Sequence, residues 1–180
     1  MRQEKPIMHG LKVIHEDNHL IAINKPVGAL VHGDETGDET LADAVKQYIK
    51  LRYNKPGDVF LGVIHRLDRP VSGVVIFART SKALVRMNKM LQEKTISKKY
   101  LAIVSIRPEE LEGTLTHHLT KDESKNIVKA YASKKPGSKE ATLRYKQMGE
   151  LDGKVLLEVE PLTGRPHQIR VQLSKINCPI

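Results

Sequence analysis

The sequence contains few of the residues that staple or anchor a fold. Its 180 residues include one cysteine, no tryptophan and only 4% aromatic residues. Cys178 stands alone, which excludes intrachain disulfides and metal sites built from several cysteines. No apolar run approaches the roughly 20 residues of a membrane-spanning helix, and the scarcity of aromatic rings argues against a broad stacking platform for single strands. These absences predict a cytoplasmic globular protein.

The remaining composition supports an ordinary folded chain. Hydrophobic residues make up 39% of the sequence and charged residues 28%, which is typical of globular proteins and not of disordered ones. This length suits one domain or at most a compact pair. A chain of this size buries roughly two-thirds of its unfolded surface, so it needs no metal or disulfide to fold.

Positive charge is concentrated in the last two-thirds of the chain. Residues 1–60 carry 8 basic and 9 acidic side chains, whereas residues 61–180 carry 22 and 12. The densest stretch, residues 121–146, sets eight cations against three carboxylates. Such a field attracts polyanions. Charge alone leaves two interpretations open, a nucleic-acid contact or a solvated basic loop.

The pattern of apolar residues predicts an α+β fold. Short apolar or alternating runs indicate strands at 13–14, 20–23, 74–78, 100–104 and 155–159. Thr40 is a good N-cap, with Asp43 placed to reach back to it, and Ser81 is predicted to cap a second helix. Pro166 fits the first turn of a last helix, whose inward residues would be Ile169, Leu173 and Ile176. Strands separated by hairpins predict a mainly antiparallel sheet.

Residues 65–73, HRLDRPVSG, have the composition of a functional loop. One carboxylate, that of Asp68, stands among three cations in a segment shaped by proline and glycine, just before a buried strand. Neighbouring positive charge and hydrogen bonds keep such a carboxylate ionised. A constrained loop of this kind suits a catalytic group. The alternative is an ion pair that only braces the loop.

Two later segments also carry polar groups in unusual patterns. Residues 163–170, TGRPHQIR, form a glycine turn into a helix, where backbone donors favour anions such as phosphate. His167 and Arg170 are three residues apart and share a helix face, so Arg170 is placed to meet a buried carboxylate. Tyr100 enters a strand behind two lysines; taken alone, it is a core aromatic as readily as a functional one.

Familiar catalytic patterns are missing. The sequence holds no GxSxG, Walker, GxGxxG or HExxH motif. His117 and His118 are adjacent, so on a strand they would face opposite sides and could not share a metal. We therefore predict no metal site. A metal-dependent nuclease or phosphatase using Asp68, His65 and His167 stays open as a hypothesis that a chelator would test.

Taken in order, these segments resemble the RluA family of RNA pseudouridine synthases. Residues 65–73 resemble its His-Arg-Leu-Asp-x-x-(Thr/Ser)-Ser-Gly signature, with Val71 where the family usually has Thr. Residues 98–102 resemble its Lys-x-Tyr-x-Ala motif, and residues 163–170 its Thr-Gly-Arg-x-His-Gln-Ile-Arg motif. Residues 17–28 are similar to its first motif. The resemblance runs from about Val13 to the C-terminus.

The resemblance implies a fold and a reaction. The fold is α+β, a mixed, largely antiparallel central sheet with flanking helices and a catalytic cleft across the sheet. The reaction isomerises specific uridines of ribosomal or transfer RNA to pseudouridine, without cofactor or metal. The C1′–N1 bond breaks, the base rotates, and C5 bonds to C1′. The expected partner is structured RNA and no membrane, and we expect a monomer.

The resemblance also assigns residues. Asp68 matches the catalytic aspartate, either as a nucleophile at the sugar or as the base of a glycal route. Arg170 matches the arginine that orients this aspartate, and Tyr100 the tyrosine that packs against the target base. Arg66 matches a residue that fills the space left by the flipped nucleotide. The remaining RNA contacts are assigned to His65, Lys25, Arg165, His167 and the lysines of residues 121–146.

The domain prediction is a single catalytic domain over residues 1–180, with no separate N-terminal RNA-binding domain. Family members usually continue past the Arg170 helix with further strands, so we expect this chain to be truncated there. The alternative function that follows is a catalytically weak RNA-binding module with the same fold.

Overall fold

The computed structural model describes residues 10–33 and 37–180. The chain forms two compact units, Met1–Thr95 and Ile96–Ile180. Each is built on an antiparallel sheet with one or two helices against it. This confirms the prediction of an α+β fold with largely antiparallel pairing. Over the described residues, no helix is both long enough and apolar enough to cross a membrane.

The first unit contains a four-stranded sheet in the order β1-β2-β4-β3. Its strands are β1 (Lys12–Glu16), β2 (Leu20–Lys25), β3 (Gly62–Val63) and β4 (Gly73–Ala78), and its helices are α1 (Leu41–Arg52) and α2 (Ser81–Gln92). Asp17 closes the turn between β1 and β2 by accepting hydrogen bonds from the N–H groups of His19 and Leu20, each at 2.7 Å.

Helix α1 packs on one face of this sheet. Its start is the predicted capping box, in which Thr40 accepts from the N–H of Asp43 and the Asp43 carboxylate reaches back. Side chains at alternate strand positions share a face. The strand residues of the cluster, Ile21, Ile23, Val75 and Phe77, are fully buried, and so are Leu41 and Val45 of α1. Each contributes about 1.5–3 kcal/mol by leaving water, so this cluster holds α1 against β2 and β4.

Helix α2 packs on the opposite face. Its N-cap is Thr80, whose hydroxyl accepts from the N–H of Ala83, so the prediction of Ser81 as the cap is wrong by one residue. Leu84, Met87 and Leu91 form the inward stripe. A Cβ at Gly62 would lie 2.8 Å from a Leu84 methyl carbon, so glycine at 62 permits the close approach of α2 to β3.

The second unit is a five-stranded sheet in the order β5-β9-β8-β6-β7. The strands are β5 (Tyr100–Val104), β6 (Glu112–Asp122), β7 (Ile127–Tyr131), β8 (Lys139–Leu151) and β9 (Lys154–Pro161). Most of the basic stretch 121–146 therefore lies in strands and their turns, and the interpretation of that stretch as a loop is wrong. In β8 the exposed Arg144 and Lys146 alternate with the buried Leu143 and Tyr145, which fix the strand in the core.

Helix α3 (Gln168–Lys175) covers one face of this sheet, with Leu173 fully buried and Ile169 and Ile176 partly buried in the same cluster. Pro166 lies before the helix rather than in its first turn. The reason is His167, whose φ of 51° places it in the left-handed region at the N-cap position. The helix therefore begins two residues later than the proline pattern predicts.

Candidate functional site

The Asp68 loop joins β3 to β4 and is held by the end of β2. The side chain of Lys25, the last residue of β2, is fully buried. Its Nζ donates hydrogen bonds to the carbonyl oxygens of Pro26 at 3.1 Å, Arg69 at 3.2 Å and Val71 at 2.6 Å. Two of these acceptors lie in the turn that follows Asp68, so Lys25 ties that turn to β2.

This arrangement corrects the role predicted for Lys25. An RNA backbone contact requires an exposed ammonium group, whereas Lys25 is buried and its Nζ is bonded to three carbonyls. The structure supports a positioning role for it.

A second set of hydrogen bonds joins the same two segments, one between backbone groups and one from a side chain. The N–H of Gly28 donates to the carbonyl oxygen of Arg69 at 2.8 Å, and the Arg69 Nε donates to the carbonyl of Gly28 at 3.1 Å. The Arg69 guanidinium also lies 3.1 Å from the carboxylate of Asp38. Gly28 has a φ of 90°, which favours glycine there. Hydrogen bonds thus join residues 17–28, the first motif, to the Asp68 loop.

The Asp68 side chain is half-buried on this braced turn. The turn is closed by the N–H of Val71, which donates to the Asp68 carbonyl at 3.0 Å. Burial lowers the pKa of the Lys25 ammonium group, and the negative charge of Asp68 opposes that shift. Asp68 therefore acts electrostatically on a cation beneath its own loop. A fixed carboxylate of this kind can stabilise positive charge or attack an electrophilic carbon.

His65 and Arg66, which precede Asp68 in the same loop, have different environments. His65 is half-buried, and its Nε2 accepts a hydrogen bond from the N–H of Ile76 in β4 at 3.1 Å. The accepting nitrogen carries no proton in this bond, so His65 braces the loop against the sheet. Arg66 is exposed, as a residue that reaches into RNA must be. An RNA contact by His65 stays a prediction.

The second unit contains the remaining predicted site residues. Tyr100 begins β5 opposite Val159 of β9 and packs half-buried beside the core. Arg165, His167 and Arg170 lie together on the segment that leads from β9 into α3. Arg170 is exposed, whereas Arg165 and His167 are half-buried. The Arg165 Nε donates to the carbonyl of Glu140 in β8 at 3.0 Å.

Two glutamines that the sequence analysis did not single out shape this segment. The Gln168 Oε1 accepts from the Arg165 N–H at 3.0 Å and from the Thr163 hydroxyl at 2.9 Å, while its Nε2 donates to the carbonyl of Thr142. Gln172, fully buried, donates from Nε2 to the carbonyls of Leu115 and Ala141, each at 3.0 Å. The sequence signal for these anchors was a pair of glutamines four residues apart, on the side of the helix that carries the apolar residues.

Together these bonds fix the helix that carries Arg170. Gln168 holds its first turn to β8, and Gln172 holds its middle to β6 and β8. The same polar layer includes His117, whose pKa is lowered by burial, with the positive charge of Lys175 acting in the same direction. Within residues 10–33 and 37–180, no three His, Cys, Asp or Glu side chains are grouped closely enough to hold a metal ion.

The sequence matches a known protein family and several of its named members. Residues 19–175 match the family model described as RNA pseudouridylate synthase. The chain is 35% identical over 172 residues to the ribosomal large subunit pseudouridine synthase C of Buchnera aphidicola subsp. Baizongia pistaciae, covering 93% of this chain and 51% of the relative. It is 32% identical to the mitochondrial pseudouridylate synthase RPUSD4 of Xenopus tropicalis, covering 94% and 58%.

A solved structure shows the same fold. The human RNA pseudouridylate synthase domain containing 4 superposes with a TM-score of 0.81 at 24% identity, over 97% of this chain and 69% of that one. The chain spans about half the length of the curated relatives named above.

Proposed function

Because the chain belongs to the RNA pseudouridylate synthase family, we propose that it isomerises uridine to pseudouridine in structured RNA, with Asp68 as the catalytic carboxylate. The observation that supports this most is the bonded pair of segments around Lys25 and Asp68. It presents one half-buried carboxylate on a turn whose backbone is fixed at several points.

The proposed chemistry suits such a carboxylate. Breaking the C1′–N1 bond leaves positive character on the sugar and negative charge on the uracil. An ionised Asp68 beside C1′ would stabilise the first charge or form a bond with that carbon. The detached base then turns, C5 bonds to C1′, the C5 proton is removed and the released N1 gains a proton. No atom is gained or lost, so the reaction consumes no co-substrate.

The other catalytic roles are proposals carried by the matching motifs. Tyr100 would pack against the target base and help to remove the C5 proton, and Arg170 would orient Asp68. Arg66 would occupy the space that the flipped nucleotide leaves. His65, Arg165, His167 and the lysines of residues 121–146 would contact the RNA.

The RNA class is a finer proposal. Several relatives are named as ribosomal large subunit enzymes, so we propose ribosomal RNA ahead of transfer RNA. A cytoplasmic location and a monomeric state stay predictions, tested by fractionation and by light scattering.

Asp68→Asn tests the proposed function. The replacement is nearly isosteric and removes the charge, so pseudouridine formation should fall by several orders of magnitude while RNA affinity and melting temperature are retained. Pseudouridine is mapped in ribosomal and transfer RNA treated with each protein. Asp58→Asn, an exposed change in the same unit, is the matched control.

Two outcomes would contradict the proposal. Substantial yield from well-folded Asp68→Asn would remove Asp68 from the chemistry. RNA binding without isomerisation by the unmodified chain would leave the catalytically weak binding module as the function.

A further inference from the structure

A row of three cations follows the exposed side of α2. Lys82 and Arg86 are exposed, and the Lys89 side chain is 73% exposed, with an ion pair to Glu93 at 3.7 Å. We call Lys82, Arg86 and Lys89 the α2 ridge. Because they are spaced by four and three residues, they share one helix face. The opposite face packs into the core through Leu84, Met87 and Leu91, so the ridge is held rigidly outward.

The charge pattern of the ridge opposes helix stability. The first turn of α2 contains no acidic residue and contains Lys82, although the positive end of the helix dipole disfavours a cation there. Lys82 and Arg86 are like charges four residues apart, and Arg86 and Lys89 are like charges three apart. Both spacings are repulsive.

Helix α1 of the same unit has a stabilising distribution of charge at its two ends. It has Asp43 in its first turn and Lys50 and Arg52 in its last turn, which is the distribution that the dipole favours. Within the first unit, a cation in the first helical turn is therefore particular to α2. Lys82 and Arg86 break a local stability rule, and such residues are expected at functional surfaces. Lys89 differs, because it pairs with Glu93 and lies in the last turn of the helix.

The ridge has the dimensions of a backbone-binding surface. At a rise of 1.5 Å per residue, Lys82 and Lys89 are separated by about 10 Å along the helix axis. Cations spaced in a line on a rigid helix fit an anion that repeats along a line, as the phosphates of a nucleic-acid strand do.

We propose that the α2 ridge binds successive phosphates of the RNA substrate. The proposal rests on the proposed function for the identity of the polyanion. It adds, in the first unit, a sequence-independent contact that the recognised motifs and the basic stretch 121–146 do not include. Its role is to hold the RNA backbone while the Asp68 loop meets the target nucleotide.

A charge-matched pair of triple variants tests the ridge. The test variant is Lys82→Gln/Arg86→Gln/Lys89→Gln. The control is Lys46→Gln/Lys50→Gln/Lys55→Gln, which removes the same charge from exposed positions in the same unit. Both are titrated with transcripts of bacterial large-subunit ribosomal RNA and with bulk tRNA at several KCl concentrations. Each lost phosphate contact should lower the slope of log K against log salt by about 1.

We expect the slope of log K against log salt to fall by about 2–3 in the ridge variant and by less than about 1 in the control. The melting temperature of the ridge variant should stay constant or rise, because repulsion within α2 is relieved. Equal losses in both variants would show a bulk charge effect and overturn the proposal. Unchanged RNA affinity, or a clear fall in melting temperature, would overturn it as well.

The result is separable from the proposed function. If the chain forms no pseudouridine but the ridge variant still loses slope, the catalytic proposal fails and the ridge stands. If pseudouridine forms and the slope is unchanged, the ridge fails alone. If an acidic protein competes for the chain in a ridge-dependent manner while RNA does not, the ridge serves a protein partner and the proposal is overturned.

Discussion

The Nζ of Lys25 lies 2.6 Å from the carbonyl oxygen of Val71, three residues after Asp68. This bond joins the end of β2 to the turn that presents the carboxylate. A buried cation therefore acts on the proposed catalytic residue through the backbone that carries it.

Lys25→Met should reduce turnover more than RNA binding. The methionine fills similar space but cannot donate, so the Arg69 and Val71 carbonyls lose a buried partner and the loop loosens. A misplacement of about 1 Å can cost about 100-fold in rate. We expect that loss in kcat with RNA affinity retained, measured under single-turnover conditions. Lys46→Met, at an exposed position of α1, is the control; a drop in affinity with constant kcat would restore the RNA contact first predicted.

Gln172→Leu should destabilise the second unit. Leucine preserves the volume but removes the donors to Leu115 and Ala141, at a cost of about 1–3 kcal/mol. Urea unfolding measures the change. Ser174→Ala, on the exposed side of the same helix, should stay within about 0.5 kcal/mol. Equal stability of the two variants would show that Gln172 does not anchor α3.

Glu16→Leu should be among the more damaging changes in the first unit. The Glu16 side chain is 10% exposed, lies 3.1 Å from the Arg79 guanidinium and accepts from the hydroxyls of Tyr48 and Tyr53. Removing one partner of a buried ion pair costs about 3–5 kcal/mol. Glu93→Leu breaks the exposed pair with Lys89 and should cost less than about 1 kcal/mol. Similar unfolding energies for both would contradict the burial argument.

The contribution of Asp17 should disappear in acid. Hydrogen bonds from the N–H groups of Leu20 and His19 lower the pKa of Asp17 from 3.8 to about 2. The fold therefore favours the ionised form, whose contribution is complete above about pH 5 and is lost as pH falls through about 2. Asp17→Ala should lower the melting temperature at neutral pH, and the difference from the unmodified chain should shrink as pH falls and be smallest below about pH 2. A difference that persists in acid would refute this.

The elements with strong local signals were predictable. The Thr40–Asp43 capping box and the inward residues of α3 were found where the sequence places them. Strands β6 to β8 were missed, because the lysines between 121 and 146 obscure the alternation of Ala141, Leu143 and Tyr145. The charged residues of this stretch suggested an exposed loop. In a strand, however, every second residue can be charged while its neighbours are buried.

The sequence predicted which segment carries the site, but it did not predict the burial and hydrogen bonds of the residues around it. The motif spacing identified the Asp68 loop. It did not identify the burial of Lys25, because a lysine is almost never fully buried unless paired and its three acceptors are carbonyls that any sequence has. The left-handed conformation of His167 likewise has no signal in the motif, and neither do the bonds by which the neighbouring Gln168 holds Thr163 and Arg165.

The bond from Ile76 to His65 has a consequence for solubility. Strand β3 spans only two residues, so an imidazole nitrogen replaces a strand carbonyl at the next step along β4. Unpaired N–H groups at a sheet edge invite other chains to add to the sheet and aggregate. With its N–H already engaged by His65, Ile76 presents one donor fewer to an incoming strand, so the loop that presents Asp68 also closes part of an open sheet edge.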